Sequence, residues 1–325
     1  MRATVISRRP TARRAHRSAR PIHRLPRAMG ACSVALLAAL GVLTAAPEVR
    51  AQARPFLPGT IADPATWRGA APSGAVVNGP NGPELTIRQT TPRATLDWLR
   101  FDIGRGETVR FDQQGNRDWA ALNRVLDPTG KPSEIAGRMI ADGQIYLINQ
   151  NGIVFTPTAQ VDVNSLVAST LAINPDAFLR GLLSVRQGTA QFELGSGRPD
   201  ARIEVQGIRG PDGRTLVQAA TINAQDGGRI FLLAAREVVN AGRLQVRDGQ
   251  VILAAGEKVY LFAPAEGSGS SLRGLFVEVD GGATATNLGE IVAARGNATM
   301  IGLAVNQSGR ISANSAEVGN GSVWL

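Results

Sequence analysis

The sequence predicts an all-β protein, a right-handed, single-stranded parallel β-helix with about 20 residues in each coil. Three observations favour this fold. Apolar runs in the stretch IYLINQNGIVFTPTAQVDVNSLVASTL, residues 145–171, are separated by Asn, Gly or Pro every few residues. Aliphatic side chains alternate with others in the C-terminal half, as strands with one buried face require. There a unit Gly-x-φ-x-φ, with φ aliphatic, recurs at 228–232, 242–246, 249–253, 289–291 and 309–311.

Composition describes the core and leaves one alternative fold. The chain is 43% hydrophobic but only 5% aromatic, so Ala, Val, Ile and Leu must fill its interior. Runs of three to five alternating residues are shorter than ordinary sandwich strands. A β-sandwich with chance glycine spacing stays open as the alternative. The L-x-x-L-x-L pattern of leucine-rich repeats is absent.

Residues 1–53 have the form of an extended signal peptide. They contain ten arginines, one carboxylate, an apolar run at residues 30–46, and small residues at Ala51 and Ala53, where we expect cleavage. That run, about 17 residues, is short for a bilayer span of roughly 20, so no stable membrane span is predicted in the mature chain. The 35 basic residues less these ten leave 25, and the 26 acidic residues less one also leave 25. The basic charge therefore belongs to the leader, and no nucleic-acid partner is predicted.

Cleavage after Ala53 would remove Cys32, His16 and His23, which are the chain's only cysteine and histidines. The mature chain would then lack the nucleophile systems that need Cys or His, ordinary zinc sites and disulfides. We expect no cofactor and no metal site.

Several local signals follow in chain order. Trp98 and Trp119 are expected to cap the apolar interior. A short helical insertion is predicted at residues 174–183, with Asn174 as N-cap and Pro175 at the first helical position. A flexible connector is predicted at 194–199, and positive φ is expected at Asp-Gly turns. These turns are at 142–143, 212–213, 226–227 and 248–249, and polar stacking along the coils is expected at Asn240, Asn287 and Asn306.

The stretch at residues 147–171, LINQNGIVFTPTAQVDVNSLVASTL, resembles the most characteristic segment of filamentous haemagglutinin-like exoproteins, the two-partner secretion family of Gram-negative bacteria. Residues 85–113 (LTIRQTTPRATLDWLRFDIGRGETVRFDQ) and 122–149 (LNRVLDPTGKPSEIAGRMIADGQIYLIN) look like the family's preceding strands, in the same order. Gln150 departs from the family pattern, which commonly has Asn-Pro-Asn-Gly where this chain has Asn-Gln-Asn-Gly. Asn151 and Gly152, the positions expected to need positive φ, are retained.

The resemblance implies a secreted, non-enzymatic surface protein that reaches the cell surface through the periplasm. Its partner would be an outer-membrane β-barrel transporter whose POTRA domains capture the unfolded chain. A host-surface receptor or a carbohydrate is the external partner class that an adhesin-like protein implies. Residues 54–190 would form the secretion domain's N-terminal part with its cap, and 191–325 would continue the coils as a truncated shaft, since a new unit begins at Gly319.

The same resemblance places the transporter-recognition motif on two short segments. Two roles stay open for their residues: contacts with the transporter, or turn and strand structure. The candidates are Leu122, Asn123, Arg124, Val125, Asn149, Gln150, Asn151, Gly152 and Ile153. Two alternatives remain for the function, a β-helical polysaccharide-active enzyme and the export module of a larger toxin or haem-carrier protein.

Overall fold

A computed structural model describes residues 54–186, 188–213, 215–263, 275–313 and 322–324. The predicted cleavage residues Ala51 and Ala53 lie outside the described residues. The described part is nearly all strand, with one short 3-10 helix, η1 (Pro64–Thr66), and one α-helix, α1 (Pro175–Arg180).

The strands are short, and their bounds follow in chain order. The N-terminal strands are β1 (Arg54–Pro55), β2 (Thr60–Ala62), β3 (Ala70–Pro72), β4 (Val77–Gly79), β5 (Gly82–Gln89), β6 (Arg93–Phe101), β7 (Thr108–Asp112), β8 (Ala120–Val125), β9 (Ser133–Ile135), β10 (Arg138–Ala141) and β11 (Gln144–Asn149). The central strands are β12 (Ile153–Phe155), β13 (Gln160–Val163), β14 (Ser165–Ser169), β15 (Ala172–Ile173), β16 (Phe192–Glu193), β17 (Arg202–Val205), β18 (Gly207–Arg209), β19 (Leu216–Ala219), β20 (Thr221–Ala224), β21 (Arg229–Ala234) and β22 (Glu237–Asn240). The remaining strands are β23 (Arg243–Arg247), β24 (Gln250–Ala255), β25 (Lys258–Phe262), β26 (Phe276–Asp280), β27 (Thr284–Asn287), β28 (Glu290–Ala294), β29 (Asn297–Ile301), β30 (Ala304–Gln307), β31 (Arg310–Ser312) and β32 (Ser322–Trp324).

Three sheets form the walls of a parallel β-helix, which confirms the predicted fold class. Sheet 1 has the order β1-β2-β6-β8-β11-β14-β21-β24-β29-β32, sheet 2 the order β3-β5-β7-β10-β13-β20-β23-β28-β31 with β4 beside β5, and sheet 3 contains β9, β12, β17, β22, β27 and β30. A typical coil runs from sheet 2 to sheet 1 to sheet 3, as β10, β11 and β12 do. The N-terminal strands β1 to β4 pair antiparallel and cap the first coil.

The interior is a column of small aliphatic side chains. Register partners stack along it, as Ile145 does between Ala121 and Leu166 in sheet 1. Aromatic rings close its N-terminal end, where Trp98 lies 4.7 Å from Trp67 and 4.8 Å from Phe101 between ring centroids. The prediction that Trp98 caps the interior is therefore confirmed. The same prediction was wrong for Trp119, which is half-buried and belongs to neither apolar cluster.

The central strands of sheet 1 are buried on both faces. Strands β14 and β24 are buried at every residue, and their sequences SLVAS and QVILAA have apolar side chains at consecutive positions instead of alternating ones. The outer face is covered by α1 and by a small antiparallel sheet, sheet 4, with the order β15-β16-β25-β26. The predicted helical insertion is confirmed, because the Asn174 side chain accepts from the Asp176 N–H at 2.9 Å.

The glycines that punctuate the C-terminal coils lie just before strands β21, β23, β24, β28 and β31, which confirms those predicted strands. Their role is close approach between coils. A Cβ at Gly249 would lie 2.1 Å from the Gly228 carbonyl oxygen, and one at Gly296 would lie 2.1 Å from that of Gly249. Glycine permits this contact because it has no side chain.

Turn predictions are confirmed in part. Gly213 and Gly227 have φ of 64° and 77° as expected, whereas in the Asp248-Gly249 pair it is Asp248 that has positive φ. Neither residue of the Asp142-Gly143 pair has positive φ, so the expectation was wrong there. Polar stacking also occurs, since Asn240 Nδ2 donates to Asn287 Oδ1 at 2.8 Å.

The next member of this polar stack is Gln307, which accepts from Asn287 Nδ2 at 2.9 Å. Asn306 was the wrong prediction. It is one residue out of register, because Asn287 pairs with Gln307, and its amide contacts Thr286 instead.

Among the described residues, no helix has the length and hydrophobicity needed to cross a bilayer.

Candidate functional site

The two predicted motif segments are neighbours in the fold. Strand β8 carries the first segment and β11 ends in the second, and these strands pair in parallel in sheet 1. Register places Arg124 beside Ile148 and Val125 beside Asn149. Residues separated by a whole coil in sequence therefore form one continuous region.

The β8 segment is mostly buried. Leu122 belongs to the outer cluster, the apolar side chains packed between the outer face of sheet 1 and its cover of α1 and sheet 4. Val125 belongs to the core inside the β-helix. Asn123 is 0% exposed, and its amide nitrogen donates to the Ala121 and Tyr146 carbonyls at 3.3 Å. A buried polar side chain needs hydrogen-bond partners, and these two carbonyls provide them for the Asn123 amide.

Arg124 is the exposed member of this segment. Its Nε and Nη2 atoms donate to the two carboxylate oxygens of Asp97 at 2.7 and 2.8 Å, a bidentate pair across adjacent strands. Such pairs fix geometry more than they add stability at the surface.

Asn149 organises the turn after β11 and is 0% exposed. Its Oδ1 accepts from the Asn151 N–H at 2.9 Å, and its Nδ2 donates to Ser133 Oγ at 3.0 Å. Its carbonyl accepts from the Gly152 N–H at 3.1 Å. Asn149 therefore both closes its own turn and joins the turn to the preceding coil.

The remaining turn residues have separate roles. Gly152 has a φ of 122°, as expected, but Asn151 does not have positive φ, so that expectation was wrong. Asn151 instead donates from Nδ2 to the Asp127 carbonyl at 3.2 Å. Gln150, which replaces the family's proline, donates to the Leu194 carbonyl at 3.1 Å, and Ile153 is fully buried in the core.

A groove of about 870 Å³ lies on the outer face of sheet 1, beside these segments. Leu122 and Ile148 line it between η1 and α1, together with the exposed side chains of Leu126 and Leu179. Its charged lining residues are Arg68, Arg93, Arg124 and Asp97, so cations exceed anions.

Tyr146 lies in the outer cluster behind the groove, with its ring 5.5 Å from that of Phe178 in an edge-to-face arrangement. Burial raises the pKa of the Tyr146 phenol, and nearby Arg93 and Arg229 act in the opposite direction. The phenol is therefore neutral and serves as a packing group.

Sequence reasoning missed the partners of the motif residues. Ser133, Asp127 and Asp97 come from other coils, and their contacts follow from the register between coils. Trp98 was predicted as a cap but also donates from Nε1 to Asn123 Oδ1 at 3.0 Å. A polar Asn in an apolar strand was the signal that could have indicated a buried hydrogen-bond partner.

No group of three or more His, Cys, Asp or Glu side chains that could hold a metal ion occurs in the described ranges. The arrangement at the motif is one of hydrogen-bonded turns and packed strands.

A family model described as the TPS secretion domain matches residues 65–313, which is most of the chain. The chain belongs to the TPS secretion domain family. Members of this two-partner secretion family are exported through an outer-membrane transporter to the cell surface or medium, which is the destination predicted from the sequence. A cognate outer-membrane transporter is the partner that membership implies.

Curated relatives of this TPS chain come from Haemophilus influenzae. A heme/hemopexin-binding protein is 40% identical over 87 residues, which are 27% of this chain and 9% of the relative. A heme/hemopexin-binding protein of strain ATCC 51907 / DSM 11121 / KW20 / Rd is 31% identical over 160 residues, 46% of this chain and 17% of that protein. The matched part of the TPS chain thus spans less than a fifth of either relative.

The crystal structure of the HMW1 secretion domain from Haemophilus influenzae has the same fold as the TPS chain. The two superpose with a TM-score of 0.58 at 23% identity, over 79% of this chain and 62% of that one. At this identity the likeness concerns the fold alone.

Proposed function

We propose that residues 122–125 and 149–153 form a signal that the transporter reads in the extended chain, before the β-helix forms. The observation that carries the proposal is burial. Leu122, Asn123, Val125, Asn149 and Ile153 are at most 6% exposed in the folded coils. Side chains so deeply packed are accessible to a partner only when the chain is unfolded.

Recognition and folding are then mutually exclusive. The hydrogen bonds of Asn149 to Ser133 and Asn151 are made by the groups that a transporter would need to contact. Each coil packs mainly on its neighbours, so an emerging coil adds to a template already formed. Folding outside the cell would bury the signal and make release from the transporter irreversible.

The partner that we propose is the POTRA region of that transporter, and its binding to this signal can be measured directly. A synthetic peptide of residues 120–155 should bind the purified POTRA fragment, and the folded chain should bind much more weakly. The matched control is the same peptide with Asn149→Ala and Asn123→Ala, which removes two amides without changing charge. Equal binding by folded chain and peptide would contradict recognition in the extended state.

We also propose that the coils serve export and surface presentation and carry out no enzymatic reaction. Many carboxylates on the strands are engaged in ion pairs across coils, such as Glu84 with Arg110 at 2.7 Å and Asp97 with Arg124 at 2.7 Å. A paired, charge-compensated carboxylate is poorly suited to proton transfer or nucleophilic attack near neutral pH. Incubation with polysaccharides should therefore release no fragments, and released oligosaccharides would favour the enzyme alternative.

The names of the curated relatives favour the haem-carrier alternative for the protein as a whole, over the adhesin-like role predicted from the sequence. Residues 54–325 contain neither His nor Cys, so these coils offer no imidazole or thiolate to haem iron. We propose that the coils themselves do not capture haem. Titration with haemin should give no saturable Soret shift, whereas a saturable shift would assign haem binding to this segment.

The division of the chain at residue 190 stays a prediction.

A further inference from the structure

Aromatic side chains are distributed unevenly between the core and the surface. All nine phenylalanines lie in the described residues, and only Phe262 and Phe276 are exposed, at 37% and 41%. These two residues are direct cross-strand partners in sheet 4. Six of the other phenylalanines are buried and Phe56 is half-buried, so an exposed pair indicates a surface with a binding role.

The orientation of sheet 4 fixes which side chains face solvent. Val259 and Leu261 point inward and are buried against the outer face of sheet 1. Alternation along β25 then directs Tyr260 and Phe262 outward, on the same face as Phe276. The rings of Tyr260 and Phe262 are nearly parallel, at 9°, with centroids 6.5 Å apart. Three aromatic rings therefore share one outward face of sheet 4.

Charged side chains flank the rings on the same face. Glu278 is opposite Tyr260, and Asp280 is opposite Lys258. The Lys258 ammonium also lies 3.7 Å from the Glu193 carboxylate. Among the described residues of this face, three carboxylates against one ammonium give a negative balance, which disfavours anionic lipid, nucleic acid and sulfated polymers.

We propose that the outward face of β25 and β26 is a binding site for neutral oligosaccharides. A pyranose ring has an apolar C–H face that packs on an aromatic ring and a rim of hydroxyl groups. Tyr260, Phe262 and Phe276 supply the apolar contact, and Glu278 and Lys258 supply an acceptor and a donor beside it. The site goes beyond the export role, since it uses residues outside the motif and is formed only in the folded protein.

The test applies the purified full chain to a printed array of neutral, sialylated and sulfated oligosaccharides. We expect binding to neutral glycans, with weaker binding to sialylated and sulfated ones because of the carboxylates. No binding to neutral glycans, or preference for the anionic ones, would overturn the proposal.

Paired variants separate ring stacking from general hydrophobicity. The double variant Phe262→Leu, Phe276→Leu keeps apolar side chains and should weaken binding at least tenfold, whereas Phe262→Tyr, Phe276→Tyr should bind within about threefold of the parent. Leu303→Ala is the matched control, because Leu303 is 82% exposed and outside sheet 4. Circular dichroism verifies that each variant is folded. Unchanged binding by the folded leucine variant would contradict the assignment.

Discussion

Trp98 Nε1 donates a hydrogen bond to Asn123 Oδ1 at 3.0 Å between adjacent coils, and both side chains are 0% exposed. Trp98 also packs against the aromatic cap, so this bond joins the N-terminal cap to the β8 segment of the motif. A residue predicted for transporter recognition is thus part of the folded core.

Replacing Asn123 with Leu should destabilise the protein by about 1–3 kcal/mol, because the Trp98 indole N–H would be buried without an acceptor. Urea denaturation followed by tryptophan fluorescence measures the change. Asn306→Leu, at an exposed strand position, is the control and should change the free energy of unfolding by less than about 0.5 kcal/mol. Equal effects would show that the buried bond is energetically unimportant.

Gly249→Ala should disrupt the stacking of the C-terminal coils. The new Cβ would lie 2.1 Å from the Gly228 carbonyl oxygen, a backbone atom that cannot rotate away. We expect a loss of about 3 kcal/mol or more in the free energy of unfolding, measured by denaturant titration.

Gly282→Ala is the matched control for that substitution, since the nearest atom to a Cβ there is a Leu303 side-chain carbon at 3.4 Å. Its backbone φ is not positive, so alanine should fit with little change in stability. If both alanine variants unfold at the same denaturant concentration, close approach between coils does not explain the glycine pattern.

Stability should fall in acid partly because of Glu290. A hydrogen bond from Arg243 at 2.7 Å, with Arg310 at 3.1 Å, holds the pKa of Glu290 below its ordinary value of 4.5. A folded-state pKa below the unfolded one stabilises the protein above the unfolded pKa. That contribution is lost as the pH falls through the folded pKa.

Glu290→Gln should therefore lose less stability than the parent between pH 7 and pH 3. The difference should be less than about 1 kcal/mol, because Glu290 is at the surface and solvent screens the pairs. Thermal unfolding at the two pH values measures it. An identical loss of stability in parent and variant would show that Glu290 does not contribute to the acid sensitivity.

Arg93→Met should loosen α1 from the outer face of sheet 1. Arg93 donates from Nε to the Phe178 carbonyl at 3.0 Å and from Nη1 to the Asp118 carbonyl at 2.9 Å, so it ties the helix to a neighbouring coil. Amide hydrogen exchange of residues 176–180 should become faster. The control Arg180→Met removes only an exposed ion pair with Asp176 and should leave the exchange rate nearly unchanged. Equal acceleration in both variants would show that Arg93 does not hold the helix in place.

The sequence allowed prediction of strands and coils where one local signal was sufficient. Alternation after Gly228, Gly242 and Gly249 identified β21, β23 and β24, and Asn174 with Pro175 identified α1. The chemical role of these coil glycines was not predicted, because the atom that excludes a Cβ belongs to another coil.

Sheet 4 could not be predicted for a related reason. Its four strands come from separate segments of the chain. Their pairing, such as that of Phe192 with Val259, depends on how far the insertions extend. One signal was present, since strands such as RIFLLA and QVILAA are apolar at consecutive positions and so require cover on both faces. At the motif, the sequence indicated the segments, but the burial of Asn123 and Asn149 followed only from register.

Export through the transporter is tested by measuring where the protein accumulates. Cells producing the full chain, with and without its cognate transporter, are fractionated into periplasm and medium. We expect release into the medium only with the transporter. Removal of residues 85–171, which contain both motif segments, should leave the protein in the periplasm. Equal release without the transporter, or normal release of the deletion variant, would contradict this expectation.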